Sequence, residues 1–103
     1  MQTIHLSEAD QGKQLQLQTG DRLIITLSAN PTTGFNWILQ PNDHFKVVTG
    51  FSPGDGGAGS AGQEKFELTP LQPGVSGMIL LQYRQPWETQ AAEKQFNVSY
   101  RIS

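Results

Sequence analysis

Leu15 and Leu17 alternate with Gln14, Gln16 and Gln18, and the same period of two recurs along most of the chain. Phe96, Val98, Tyr100 and Ile102 interleave with Asn97, Ser99, Arg101 and Ser103, while Phe66 and Leu68 stand among Lys65, Glu67 and Thr69. A strand sends successive side chains to opposite faces, so this period predicts half-buried β-strands. Reading it through predicts strands over 14–18, 21–28, 35–40, 45–51, 63–69, 75–83 and 94–102. An additional edge strand is expected over 1–6, followed by one helical turn over 7–10 with Ser7 as its cap. The middle strands draw apolar faces from Leu23, Ile25 and Leu27, from Phe35, Trp37 and Leu39, and from Phe45 and Val47. Segment 75–83 carries apolar residues at both parities, Ile79 and Leu81 as well as Met78 and Leu80, which predicts a mid-sheet strand covered on both sides. The expected fold class is all-β, an immunoglobulin-like antiparallel sandwich of seven to eight strands forming a single domain over 1–103.

The connections differ in chemistry. Thr19-Gly20, Pro41-Asn42-Asp43 and Pro70-Leu71-Gln72-Pro73-Gly74 are rich in residues that preset or tolerate turn dihedrals. The other three, 29–34, 52–62 and 84–93, are longer or stranger. Successive strands of an antiparallel sandwich reverse direction, so alternate connections emerge together and these three are expected at one end. Loops gathered on a rigid scaffold make a single surface fit for binding.

Composition narrows what that surface could meet. Seven Lys and Arg against nine Asp and Glu, a net charge of -2 and no basic block leave no footprint for a phosphate backbone. The longest apolar runs, Leu23-Ile24-Ile25 and Met78-Ile79-Leu80-Leu81, fall far short of the roughly 20 residues that span a bilayer. Neither nucleic acid nor membrane is expected as a partner. The start, Met1-Gln2-Thr3-Ile4-His5, lacks signal-peptide features, so a cytoplasmic chain is expected, or a periplasmic or secreted one supplied in mature form. Absence of cysteine removes disulfides, thiolate metal sites and a thiol nucleophile. His5 and His44 are the only histidines; both are expected to face solvent, with no acid pair or nucleophile motif beside them. No catalytic residue, metal ligand or cofactor is assigned, and an enzyme is not expected.

Each odd loop has two readings. Asn30-Pro31-Thr32-Thr33-Gly34 is either a hairpin turn whose hydroxyls satisfy local backbone, or a rigid projection with Thr32 and Thr33 at its tip. Segment 52–62 holds five of the eleven glycines. It reads as a linker, or as main chain left open to pair with an extended partner; a phosphate cradle lacks the following Lys-Ser/Thr and helix. Arg84-Gln85-Pro86-Trp87-Glu88 puts a tryptophan past the end of a strand, either folded over the core rim or standing out as an anchor. Trp37, on a strand, is read as core.

Taken together, these residues resemble the chagasin-like inhibitors of papain-like cysteine proteases. That family carries an Asn-Pro-Thr-Thr-Gly-aromatic-x-Trp string, a Gly-x-Gly-Gly stretch and an Arg-Pro-Trp-type string on three loops of an immunoglobulin-like domain. The first stands complete as Asn30-Pro31-Thr32-Thr33-Gly34-Phe35-Asn36-Trp37, and the three motifs follow in order over nearly the whole chain. Two departures are visible. Gln85 precedes Pro86 where the family has Arg, with Arg84 displaced by one residue. Gly54-Asp55-Gly56-Gly57 matches the glycine motif literally, whereas Gly59-Ser60-Ala61-Gly62 lies at the family's usual distance before the next strand and is the register favoured for contact. The resemblance implies a monomeric, reversible, competitive, non-covalent inhibitor whose three loops enter a papain-like (cathepsin-like) protease cleft as a wedge. Its contact residues would be Asn30, Pro31, Thr32, Thr33, Gly34, Phe35, Gly59, Ser60, Ala61, Gly62, Arg84, Gln85, Pro86 and Trp87. The alternative is an immunoglobulin-like adhesion or carbohydrate-binding module using the same loop end.

Overall fold

In the computed structural model, which describes residues 1–29, 36–52, 62–84 and 94–103, alternation of apolar and polar side chains resolves into eight strands. These are β1 (Thr3–Leu6), β2 (Gln14–Leu17), β3 (Arg22–Ala29), β4 (Asn36–Leu39), β5 (Phe45–Ser52), β6 (Gly62–Pro70), β7 (Val75–Arg84) and β8 (Lys94–Ile102). They form two four-stranded sheets, ordered β1-β3-β6-β5 and β2-β8-β7-β4. The expected all-β sandwich is present, with one difference in pairing: β1 runs parallel to β3 and β2 parallel to β8, so both sheets are mixed. The first strand and β2 lie in different sheets, because the chain crosses between layers through a 3-10 turn at Glu8–Asp10. Ser7 donates its N–H to Asp10 Oδ2 at 2.8 Å, and Asp10 returns its N–H to Ser7 O at 2.9 Å, closing that turn.

Inward parities make one core. Leu15 and Leu17, Leu23, Ile25 and Leu27, Phe66 and Leu68, Ile79 and Leu81, and Phe96, Val98 and Ile102 are all buried between the sheets. Burial of each such side chain contributes roughly 1.5–3 kcal/mol, offsetting the entropy lost on ordering the chain. The turn after β2 needs Gly20, whose φ of +91° is open to glycine and disfavoured for other residues. Beside it Asp21, 2% exposed, accepts hydrogen bonds from the N–H and side-chain amide of Gln2, both at 3.0 Å, and from Gln18 N–H at 2.8 Å. Burial by itself pushes this carboxyl up, yet those donors outweigh it and hold it below the usual carboxylate range. Asp21 therefore ties the N-terminus to the turn, and its contribution is full above the unfolded-state pKa and lost as pH falls through the lowered folded one.

Three expectations are corrected. Although β7 lies mid-sheet, only one of its faces is covered: Met78 is 58% exposed, since a two-layer sandwich leaves the outer face of every strand to water. Val47 does not share the burial of Phe45, because β5 is an edge strand of eight residues and β4, the edge strand of the other sheet, ends at Leu39 after four. His44 is half-buried rather than solvent-facing; its Nδ1 lies 2.7 Å from the Tyr100 hydroxyl, which Asn42 Nδ2 also reaches at 3.1 Å. This cluster fastens the end of the sandwich that carries the plain turns.

Candidate functional site: the loop end

The ladders fix where the three odd connections are rooted. Ala29 lies across from Gly62 and Gln63 across from Ser52 in one sheet, while Asn36 lies across from Arg84 and Lys94 across from Tyr83 in the other. Segment 53–61 thus joins the antiparallel neighbours β5 and β6, segment 85–93 joins β7 and β8, and segment 30–35 bridges the two sheets. The roots of all three stand at one end. Of the contact residues named above, Gly62 and Arg84 are described: Gly62 is the buried first residue of β6, and Arg84 is the half-buried last residue of β7. Asn30, Pro31, Thr32, Thr33, Gly34, Phe35, Gly59, Ser60, Ala61, Gln85, Pro86 and Trp87 lie outside the described residues.

A chain of hydrogen bonds centred on Trp37 holds these roots. Trp37 is 6% exposed, and its ring packs on Tyr83 with centroids 5.0 Å apart. Its indole N–H donates to Ser28 O at 2.9 Å, across to the other sheet, and its main-chain N–H donates to Glu64 Oε2 at 2.6 Å. Ser28 N–H in turn donates to Glu8 Oε1 at 2.5 Å. One residue past the root of segment 30–35, Trp37 therefore binds β3 and β6 directly and the 3-10 turn at one remove. On the second sheet, Lys94 Nζ sits 5.6 Å from the centre of the Tyr83 ring, a cation–π contact beside the root of segment 85–93.

Sequence reasoning placed Trp37 in the core but passed over Glu64. The signal was present: Glu64 is two residues before Phe66 and four before Leu68, so period two turns it toward the interior. Burial pushes the Glu64 carboxyl above the ordinary range, and the Trp37 N–H offsets only part of that. A carboxyl raised in the folded state contributes stability that is full below the unfolded-state pKa and lost as pH rises through the folded one. Glu64→Gln keeps an acceptor for Trp37 and removes the charge, so its urea midpoint at pH 7 should match or exceed wild type, the advantage shrinking on acidification. Glu64→Ala removes the bridge and should cost about 1–2 kcal/mol. Equal midpoints for wild type and Glu64→Ala would show that the bridge contributes nothing to stability.

Among the described residues no group of three or more His, Cys, Asp or Glu side chains could hold a metal ion. What the described residues offer is a hydrogen-bonded two-sheet platform with the three segments rooted at one end.

Comparison with known proteins agrees with that reading. Chagasin from Trypanosoma cruzi is 31% identical over 90 residues, covering 80% of this chain and 81% of that protein. Amoebiasin-1 from Entamoeba histolytica is 28% identical over 102 residues, covering 94% and 97%. The crystal structure of the cysteine protease inhibitor EhICP2 from Entamoeba histolytica superposes with a TM-score of 0.90 at 26% identity, covering 100% of this chain and 97% of its own. The family model for the chagasin family peptidase inhibitor I42 matches residues 16–102, from within β2 to the end of β8. The chain belongs to the chagasin family of peptidase inhibitors.

Proposed function

We propose that this protein inhibits papain-like cysteine proteases by inserting its loop end into the active-site cleft, reversibly and without a covalent bond. The observation that carries the reading is the common root of the three motif-bearing segments at one end of a hydrogen-bonded platform. In this reading Thr32 and Thr33 lie over the enzyme's catalytic Cys–His pair. The segment ending in Gly59-Ser60-Ala61-Gly62 lies along the nonprimed subsites through main-chain hydrogen bonds, and Trp87 packs on the primed side. Preordered roots lower the entropy cost of binding, so a modest contact area can support tight association. An adhesion or carbohydrate-binding role, which the fold alone allows, is not favoured by membership in an inhibitor family.

The test is an assay of papain with a small fluorogenic substrate and nanomolar inhibitor. Inhibition should be competitive, reversed on dilution and unchanged by a chelator, and mass spectrometry after prolonged incubation should recover intact protein. Cleavage between Asn30 and Gly34 in step with the loss of inhibition would make the protein a slow substrate and sink the wedge.

A further inference from the structure

Exposed large apolar side chains concentrate on one strand. Of the six among the described residues, three belong to β5: Val47, Val48 and Phe51, exposed by 36%, 54% and 48%. Among the described strands this one is the outer member of its sheet and pairs only with β6, and over its eight residues it carries a single charge, Lys46, and no proline. Natural edge strands are ordinarily blunted by brevity, charge, proline or a bulge. No other described strand pairs with this one. Beneath it the edges of the two sheets part into a cleft of about 360 Å³ lined by Trp37, Thr49, Gly50, Phe51, Glu64 and Phe66. Glu64, the one charged lining residue, already accepts the Trp37 N–H, so the cleft suits an apolar side chain.

The position of the strand says what could occupy it. Phe51 is one residue from Ser52, where segment 53–61 is rooted, and Val48 is four residues away, about 13 Å at the rise of a strand. A partner engaged by the loop end would run directly alongside. A second copy paired on β5 alone is a weaker fit. Eight residues make a strip about 26 Å long and, taken as about 10 Å wide, about 260 Å² in area, far below the roughly 800 Å² per partner of a stable interface. As a continuation of a three-loop contact the same strip needs only to add to it.

We infer that the β5 edge and the cleft beneath it form a side-wall contact for the target protease. It takes an extended segment from the rim of the enzyme's cleft and seats an apolar side chain against Trp37, Phe51 and Phe66. This rests on the proposed function above. The main chain of β5 supplies hydrogen bonds as in strand addition; Phe51, across from Glu64 on the cleft face, and Val48, across from Glu67 on the outer face, supply apolar contact to alternate side chains of the added segment.

The experiment measures association and dissociation rates with papain for wild type, Val48→Lys/Phe51→Lys, the control Met78→Lys on the outer face of the other sheet, and Trp87→Ala. Melting temperature and solution mass are recorded for each. The double lysine variant should bind at least tenfold more weakly, mainly through faster dissociation, while staying monomeric and melting like wild type; Met78→Lys should bind normally. Should the lysines disturb folding, Val48→Thr/Phe51→Ser gives the same test in milder form, with an expected loss of about threefold or more. Wild-type dissociation rates in every folded β5 variant, with Trp87→Ala impaired, would overturn the side wall and leave the loop wedge standing. A wild-type dimer dissolved by the lysines without change in inhibition would reassign β5 to self-association and also overturn it. Failure of the wild type to bind papain or any other papain-like enzyme would remove the underlying reading instead.

Discussion

Trp37→Ala is expected to lower the free energy of unfolding by about 3–5 kcal/mol, which for a domain of this size is a large share of the typical 5–15. The residue lies at the end of the sandwich that the loops occupy, bordering the cleft toward Phe51 on one side and another lined by Glu8, Lys94 and Phe96 on the other. Removing the indole therefore opens two clefts into each other, takes away the packing partner of Tyr83 and leaves Ser28 O without its donor. Neighbouring strands cannot close that gap without breaking ladder pairs. Inhibition should weaken in parallel, because segment 30–35 is rooted one residue before Trp37. Trp37→Phe separates the terms: it keeps a ring against Tyr83 but deletes the N–H, and should cost about 1–2 kcal/mol. Urea midpoints for the two variants decide the matter. A Trp37→Ala protein that unfolds at the wild-type midpoint would mean that the loop end is held by something other than this residue.

Period two made most of this fold readable, because a half-buried strand must alternate. Leu15 and Leu17 in β2, and Phe96 to Ile102 in β8, are buried at the expected parity. Alternation says nothing, however, about which strand lies beside which. Parallel pairing of β1 with β3 and of β2 with β8 follows from a crossover between layers, a long-range property that no local pattern carries. The same limit explains Met78 and Leu80. Apolar residues at both parities are equally consistent with a doubly covered strand and with a singly covered strand that leaves methyl groups in water, and only the number of layers decides. Asp21 reads as the first residue of the strand after Thr19-Gly20, and its burial depends on Gln2 arriving from β1's side. At the site, the positions of the loop roots were legible from strand reversal alone. Glu64 was legible too, by parity with Phe66, but a carboxylate among Gln63 and Lys65 reads first as solvent-facing.

Trp87→Ala should divide binding from folding in the opposite sense to Trp37→Ala. Segment 85–93 is rooted on Arg84 and Lys94, and Lys94 lies across from Tyr83 in the β7–β8 ladder with its Nζ over the Tyr83 ring. Trp87 comes three residues after Arg84, which at extended spacing allows it to lie up to about 10 Å beyond the end of β7. A tryptophan can bury about 150–250 Å² on a partner, and the adjoining proline restricts the backbone that carries it. Trp is also among the residue types that dominate interface energetics, so truncation at Trp87 should cost roughly 2–4 kcal/mol of binding, about 30-fold or more in affinity for papain. The urea midpoint should barely move, since the strand ladders that root the segment remain intact. Measuring the inhibition constant and the midpoint on the same preparation keeps the two effects apart. A Trp87→Ala protein that inhibits papain like wild type while losing several kcal/mol of stability would place Trp87 over the core rim, and the loop wedge would then rest on segments 30–35 and 53–61 alone.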